Sequence, residues 1–157
     1  MTDRSVTHAT FTIDRTYAAS PARVFNAFAD PAIKSRWFGD PAEMPASDYS
    51  LDFRVGGREI NRGGPPGGPI YSFDALYQDI VPNERIVTTY DMHMGDARIS
   101  VSLATVELKA EGIGTRLTYT EQGAFLDGHD TPAAREHGTR ELLEALASVV
   151  EGQLVAG

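Results

Sequence analysis

The sequence predicts an α+β fold in which a curved antiparallel sheet of about seven strands surrounds a long C-terminal helix. Three observations support this prediction. A strand pattern opens the chain, and two short helical segments follow it. Residues 48–123 then carry only strand and turn signals. An amphipathic helical pattern closes the chain, so one long helix is available to cover one face of the sheet.

The first part of the chain contains one strand and the two short helices. Residues 8–17 alternate between apolar and polar side chains, which is the period of a half-buried strand. Ser20-Pro21 combines an N-cap residue with a first-turn proline, and Asp30-Pro31 repeats that signal. We therefore expect two short helices in succession, with Trp37 near the end of the second.

The middle of the chain predicts six further strands. Turns are indicated at Gly56-Gly57, Pro82-Asn83, Gly95-Asp96 and residues 112–114. Residues 61–69 are so rich in Gly and Pro that we expect a long exposed hairpin loop there. Successive antiparallel pairing is the simplest arrangement, with the strands at residues 48–57, 57–60, 70–80, 84–94, 97–108 and 114–123.

The last element is a long amphipathic helix that begins at Thr131-Pro132. Its apolar stripe has helical spacing and consists of Thr139, Leu142, Leu143, Leu146, Val149 and Val150. Gly138 near its beginning costs about 1 kcal/mol relative to alanine in a helix interior. This cost predicts a close contact between helix and sheet at Gly138. One helix in the concavity of a twisted sheet does not fill it, so we expect a cavity between them.

Composition restricts the environment and the classes of partner. At 157 residues the chain has the size of one domain, and we predict a single domain over residues 1–157. It contains no cysteine, no secretory signal and no run of about 20 apolar residues, so we expect a cytoplasmic protein without membrane insertion. The net charge of −8 with scattered basic residues argues against nucleic acid as a partner.

Several segments together resemble the SRPBCC superfamily, which includes START and Bet v 1-like proteins. They are the N-terminal block TFTIDRTYAASPARVFNAFADPAIKSRWFG, the turn PNERIV, the pair SVSLATVEL and GTRLTYTEQG, and the tail REHGTRELLEAL. The chain is most similar to the branch named after the activator of the heat-shock-protein-90 ATPase. The resemblance covers nearly the whole chain and implies a helix-grip fold. Members of this superfamily bind lipids or polyketides, catalyse cyclisation or act as co-chaperones, so the fold alone does not select a function.

Strand alternation and helical spacing select the residues that we expect to line the cavity. Mixed tyrosines, methionines and aliphatic side chains suit a planar or hydrophobic ligand, although alternation of this kind also describes an ordinary core. The predicted ligand-binding residues are Trp37, Phe53, Phe73, Tyr77, Tyr90, Met92, Ile99, Val101, Leu103, Tyr119, Glu121, Leu143 and Leu146. For Trp37, packing that seals one end of the cavity is the favoured interpretation.

Glu121 and His93 are the candidates for acid-base chemistry. Alternation puts Glu121 in line with Leu117 and Tyr119, where a carboxylate needs a partner or a raised pKa. Glu121 could equally lie in solvent at a strand end, and we favour that position. The only candidate catalytic set combines Glu121 with Tyr90, Asp91 and His93. It requires that these side chains point to the same face of the sheet, which the alternation alone does not establish. The histidines do not converge in the sequence, and Asp127-Gly128-His129-Asp130 lacks metal-site spacing, so we predict no metal ion.

Three functional hypotheses remain open at this point. The first is a protein that binds a hydrophobic or aromatic small molecule in the cavity, without a cofactor. The second is a polyketide-cyclase-like or hydrolytic enzyme that uses the same cavity, with Glu121 or His93 moving protons and Tyr90 or Tyr119 polarising a carbonyl. The third is a chaperone-interacting protein, which predicts a filled core and an exposed patch instead of a pocket. A homodimer through edge strands or the Gly/Pro-rich loop is a further expectation.

Overall fold

The computed structural model describes residues 3–38, 48–64 and 67–151. Its elements in chain order are β1 (Val6–Tyr17), α1 (Pro21–Ala29), α2 (Pro31–Lys34), β2 (Asp48–Leu51), β3 (Arg58–Gly63), β4 (Tyr71–Val81), β5 (Arg85–Met94), β6 (Ala97–Glu111), β7 (Gly114–Leu126) and α3 (Pro132–Val150). The seven strands form one antiparallel sheet in the order β1-β7-β6-β5-β4-β3-β2. The predicted α+β helix-grip fold is therefore confirmed.

The helices begin where the sequence predicts. The Ser20 side chain accepts a hydrogen bond from the Arg23 amide, and Thr131 accepts one from the Ala134 amide. Asp30 caps α2 in the same way through the Ala32 amide. A proline occupies the first turn after each cap, where its missing N–H leaves no bond unmade.

Two predicted boundaries in the region of β2 and β3 are wrong. β2 ends at Leu51 and does not continue to residue 57, because the chain turns back at Gly56, which has a φ of +85°, and Gly57. A Cβ on Gly57 would overlap the carbonyl oxygen of Asp52, so the tight return requires glycine there. β3 continues through residues 61–63, which the sequence assigned to a loop, because it pairs with β4 as far as Gly63.

A β-bulge changes the phase of β6. Met92 of β5 pairs with Ser100, whereas His93 pairs with Arg98, so Ile99 is an extra residue in β6. Ile99 and Ser100 are both buried as a result. From Ser100 onwards the even-numbered side chains of β6 face the helix side of the sheet, and the odd-numbered ones face away.

The hydrophobic core lies beneath α3 at one end of the sheet. α3 packs on β1 and α1. Leu146 of α3, Val24 of α1 and Leu117 of β7 are fully buried there, and Tyr17 at the end of β1 donates a hydrogen bond to the Leu143 carbonyl at 2.9 Å. Because α3 packs at the β1 end, the concave surface of β3, β4 and β5 is not filled by helical side chains.

Candidate functional site

A pocket of about 450 Å³ occupies the space between α3 and the concave face of the sheet. This volume lies within the range of ordinary small-molecule sites. Most of its walls are apolar or aromatic. The strands contribute Phe73, Tyr77, Ile86, Tyr90, Met92, Met94, Ile99, Ala104, Val106 and Tyr119, while the helical regions contribute Phe28, Trp37, Phe38, Ala134, Gly138, Leu142 and Leu143.

Aromatic rings form a connected wall on one side of the pocket. Phe73 contacts Phe38 at a centroid distance of 5.0 Å and Tyr90 at 4.8 Å. Trp37 contacts Phe38 at 6.0 Å and Phe28 at 5.0 Å in edge-to-face geometry. Edge-to-face contact is a preferred geometry for pairs of aromatic rings. The wall therefore presents both ring faces and ring edges to the pocket.

Glu59 is the centre of a buried polar cluster at the β3 side of the pocket. Its carboxylate accepts hydrogen bonds from Lys34 Nζ at 2.7 Å and from the Tyr77 and Tyr49 hydroxyls at 2.8 and 2.7 Å. Glu59 is 1% exposed and Lys34 is 6% exposed. The ammonium group of Lys34 also lies 4.5 Å from the Phe38 ring centroid, within cation-π range. Burial, followed by the neighbouring Glu59 carboxylate, raises the pKa of both tyrosines, so they remain neutral donors.

Glu121 is the centre of a second buried cluster, beneath the first turn of α3. Tyr119 and Tyr90 donate hydrogen bonds to its carboxylate at 2.6 and 2.8 Å, and Arg135 Nη1 lies 3.2 Å from it. Nη1 of Arg135 also donates to the Tyr90 hydroxyl, while Nη2 donates to Ser100 and Asp130. The guanidinium thus connects α3 to β5, β6 and β7.

The pKa shifts in this second cluster point away from proton transfer near neutral pH. Burial, followed by the nearby Glu121, raises the pKa of Tyr90. Burial also raises the pKa of Tyr119. Burial opposes the charge on Arg135, but Tyr90, Glu121 and Asp130 outweigh it and raise the arginine pKa. These groups therefore hold their protons and act as fixed donors and a fixed charge.

The structure brings together eight of the predicted site residues in the wall of the pocket: Trp37, Phe73, Tyr77, Tyr90, Met92, Ile99, Tyr119 and Leu143. The Trp37 indole is 3% exposed and donates a hydrogen bond to the Ala27 carbonyl at 3.0 Å, which fixes its position. Glu121 lies directly behind this wall and is fully buried, so its favoured position in solvent is wrong. Its donors compensate for the burial of the charge.

Other predicted residues do not line the pocket. Val101 and Leu103 are 44% and 37% exposed on the outer face of the sheet, because the bulge at Ile99 reverses the assumed phase. Phe53 packs against Phe25 and Tyr77 at the edge of the core, and Leu146 is fully buried in the core. These four orientations are corrections to the predicted set.

The predicted acid-base set does not converge. Only Tyr90 and Glu121 of that set are in contact. Asp91 alternates with Tyr90 along β5 and forms an ion pair with the exposed Arg98 at 3.2 Å. His93 is half-buried and does not line the pocket. Among the described residues, no group of three or more His, Asp or Glu side chains is arranged to hold a metal ion.

Gly138 also differs from expectation. A Cβ added to it meets no heavy atom within 4 Å, and the residue lines the pocket. Gly138 therefore leaves space beside the helix, and the predicted close contact with the sheet is wrong.

Several polar residues of the pocket were not found from the sequence: Lys34, Glu59, Asn61, His129, Asp130 and Arg135. Arg135 had a usable signal, since it lies four residues before Thr139 and extends the buried stripe of α3 by one turn. Glu59 and Asn61 lie on one face of β3 and Ile60 on the other. Because both residues of the first face are polar, the sequence gave no reason to expect that face to point into the pocket.

The comparisons with known proteins give the family. The model of the "Activator of Hsp90 ATPase homolog 1-like protein" family matches residues 18–151. The chain belongs to this family. The resemblance to the Hsp90-ATPase-activator branch is thereby confirmed. No match to the chain is found among curated proteins.

Solved structures agree with membership in the activator of Hsp90 ATPase homolog 1-like family. The Mll3558 protein from Rhizobium loti is 57% identical, with a TM-score of 0.86, over 92% of this chain and 98% of that one. A putative uncharacterised protein from Rhizobium leguminosarum is 46% identical, with a TM-score of 0.90, over 96% and 99% of the two chains. Protein CV1439 from Chromobacterium violaceum is 26% identical, with a TM-score of 0.72, over 90% and 96%.

No helix in the described part of this chain is both long enough and apolar enough to cross a membrane.

Proposed function

We propose that this protein binds a neutral hydrophobic or aromatic small molecule in the pocket between α3 and the sheet. The observation that carries the proposal is the 450 Å³ space with a connected aromatic wall. Burial of apolar ligand surface there supplies the affinity, since each Å² removed from water contributes about 25 cal/mol before the costs of association.

The charges around the pocket favour a neutral ligand over an anion. Two basic side chains of the described wall, Lys34 and Arg135, are both paired with carboxylates. A fatty-acid carboxylate would have to break one of these pairs to gain a cationic partner, at a cost of several kcal/mol. Asp130 and the net charge of −8 on the whole chain add to the repulsion of anions.

The enzyme hypothesis has less support from the same geometry. A tyrosine that polarises a substrate carbonyl must donate its hydroxyl proton, but Tyr90 and Tyr119 both donate theirs to Glu121. Glu121 in turn accepts from these donors and from Arg135, so both of its oxygens already take part in hydrogen bonds within the protein. The chaperone hypothesis rests on the family name. That hypothesis predicts a filled core, and the open pocket does not agree with it.

A thermal-shift screen tests the proposal. The protein is heated with neutral flavonoids, steroids and polycyclic aromatics, and separately with fatty acids of similar size. We expect a saturable rise in melting temperature with at least one neutral class and a smaller rise with the anions, because ligand binding to the native state stabilises it. No rise with any neutral compound would contradict the proposal. In that case, stimulation of an Hsp90 ATPase is the next assay.

A further inference from the structure

β1 is an edge strand, and the side of it that faces away from β7 has no strand partner among the described residues. It stands first in the order of the sheet and pairs with β7 alone. β1 is 12 residues long, and its pairing with β7 runs from Val6 to Tyr17 without a register shift. The strand at the other edge, β2, has only 4 residues. β1 therefore provides the longer regular edge of the sheet.

The hydrogen bonds at the start of β1 show which backbone groups lie on this open edge. The Asp127 amide donates to the Ser5 carbonyl at 2.9 Å, and the Asp127 carboxylate accepts from the Ser5 amide, so the backbone of Ser5 points toward β7. Successive residues of a strand direct their N–H and C=O groups to opposite sides. The odd-numbered residues of β1 therefore bond to β7, and the even-numbered residues point to the open edge. The Thr16 carbonyl agrees with this assignment, because it accepts from the Arg15 side chain.

The first part of the open edge is exposed and unprotected. Proteins usually protect a long edge with proline, lysine, a bulge or an inward-pointing charge, because unpaired backbone groups are a template for another strand. Residues 6–14 contain none of these features. Five even-numbered residues there are exposed, and within the described part of the chain their backbone groups on the open edge have no hydrogen-bond partner: Val6, His8, Thr10, Thr12 and Asp14.

We propose that β1 pairs with β1 of a second copy of this chain, antiparallel and about a two-fold axis at Phe11. A two-fold pair uses the same edge of both copies and closes, whereas pairing of β1 with β2 of another copy would continue into a filament. The pair joins the two sheets into one. It is independent of the proposed ligand binding, because β1 contributes no residue to the described wall of the pocket.

Face matching and charge select the axis at Phe11. Residues that lie opposite each other must both be odd or both be even, since a shift by one residue would turn a buried face outward. Among such registers, those centred on Phe11 and on Thr12 leave only one residue of β1 unpaired. The register centred on Phe11 places His8 opposite Asp14 of the second copy, and this pair occurs twice. The register centred on Thr12 places both of them opposite threonines.

The side chains of His8 and Asp14 are available for this cross-strand pair. His8 is exposed and forms no hydrogen bond or ion pair with the described residues. The Asp14 carboxylate contacts Thr118 and Arg116, yet its side chain is still 49% exposed. An imidazole donates a hydrogen bond to a carboxylate in its neutral and in its charged form, and pairs of opposite polarity stabilise facing strands.

Sedimentation velocity with a backbone variant tests the proposal. We expect a reversible monomer–dimer equilibrium as the wild-type concentration rises to about 100 µM. Thr12→Pro removes an N–H that points to the open edge, where an edge strand tolerates proline. The variant loses one donor from each copy, so the dissociation constant of the dimer should rise at least about tenfold. Thr12→Val is the matched control, because it removes the same hydroxyl and keeps the N–H. Its dissociation constant should stay within about twofold of the wild type.

A charge exchange tests the register. His8→Asp places two carboxylates opposite each other at both ends of the pair and should raise the dissociation constant about tenfold. The double variant His8→Asp, Asp14→His restores the opposite pairs and should return to within about threefold of the wild type.

Three results would overturn the proposal. The first is a wild-type protein that stays monomeric over the whole concentration range. The second is a dimer that a folded Thr12→Pro variant, checked by circular dichroism, forms as strongly as the wild type. The third is a dimer that His8→Asp does not weaken, and this exposed substitution decides the question if Thr12→Pro does not fold.

Discussion

Substitution of Lys34 and Glu59, singly and together, tests the buried ion pair at the β3 side of the pocket. Lys34→Met keeps an aliphatic side chain and removes the ammonium group that lies over the Phe38 ring, while Glu59→Gln keeps an oxygen that can accept from Tyr77. Either single change leaves one buried charge without its partner. The double variant leaves two neutral side chains of similar size.

The expected magnitude follows from the geometry. At an N···O distance of 2.7 Å, an effective dielectric constant of about 20 gives an attraction of about 6 kcal/mol. Desolvation of two side chains that are only 7% and 1% exposed offsets much of this attraction. Removal of one partner should therefore cost about 3–5 kcal/mol of unfolding free energy. The double variant should cost about 2 kcal/mol less than the sum of the single changes.

Urea unfolding at pH 7, followed by circular dichroism, measures the four free energies of this cycle. An exposed pair, Arg58 and Asp74 at 2.9 Å, is the control and should show a coupling below about 1 kcal/mol. Single losses below about 1 kcal/mol that simply add would refute the claim that Lys34 and Glu59 form a tightly coupled buried pair.

Three further predictions concern α3 and the acidic groups. Arg135→Met should lower the unfolding free energy by about 3–5 kcal/mol in urea, since it leaves Glu121 buried without a cation. Gly138→Ala should raise the unfolding free energy by about 1 kcal/mol, because alanine favours the helix and its Cβ has no heavy atom within 4 Å. A decrease in the unfolding free energy would contradict the open space beside Gly138. Asp127→Asn should lose less stability than wild type as the pH falls from about 5 to 2. The Ser5 amide and Arg4 lower the pKa of Asp127, so its ionised form stabilises the fold above the unfolded pKa and that contribution disappears in acid; equal acid profiles would contradict this.

Local signals were sufficient to predict the fold. Each helix start combined a capping side chain with a proline, and the turns coincided with glycines or Asn83, whose φ is +65°. Such signals depend mainly on neighbouring residues, so they are readable from the sequence before the tertiary structure is known. The boundaries of β2 and β3 were less predictable, because pairing with another strand decides where each ends.

The site was only partly predictable, for a physical reason. In β6, the alternation of Ile99, Val101 and Leu103 conflicts with that of Ala104 and Val106 further along the strand. The conflict indicates a bulge, but its position depends on the partner strand. The buried charges are harder still. Lys34 and Glu59 are stable inside only because distant elements pair them, and nothing in either local sequence shows the partner.

The most direct test of ligand binding in this pocket uses a reporter that the chain already contains. Trp37 is the only tryptophan in the sequence, and its indole lines the pocket. Titration with 2-naphthol should change its fluorescence saturably in the wild type. In Gly138→Leu, whose added side chain occupies the open space beside α3, the dissociation constant should rise at least about tenfold. Ala133→Leu, at an exposed position on the same helix, should bind as the wild type does. Unchanged binding by a folded Gly138→Leu variant would contradict the account, because the ligand would then lie outside the pocket.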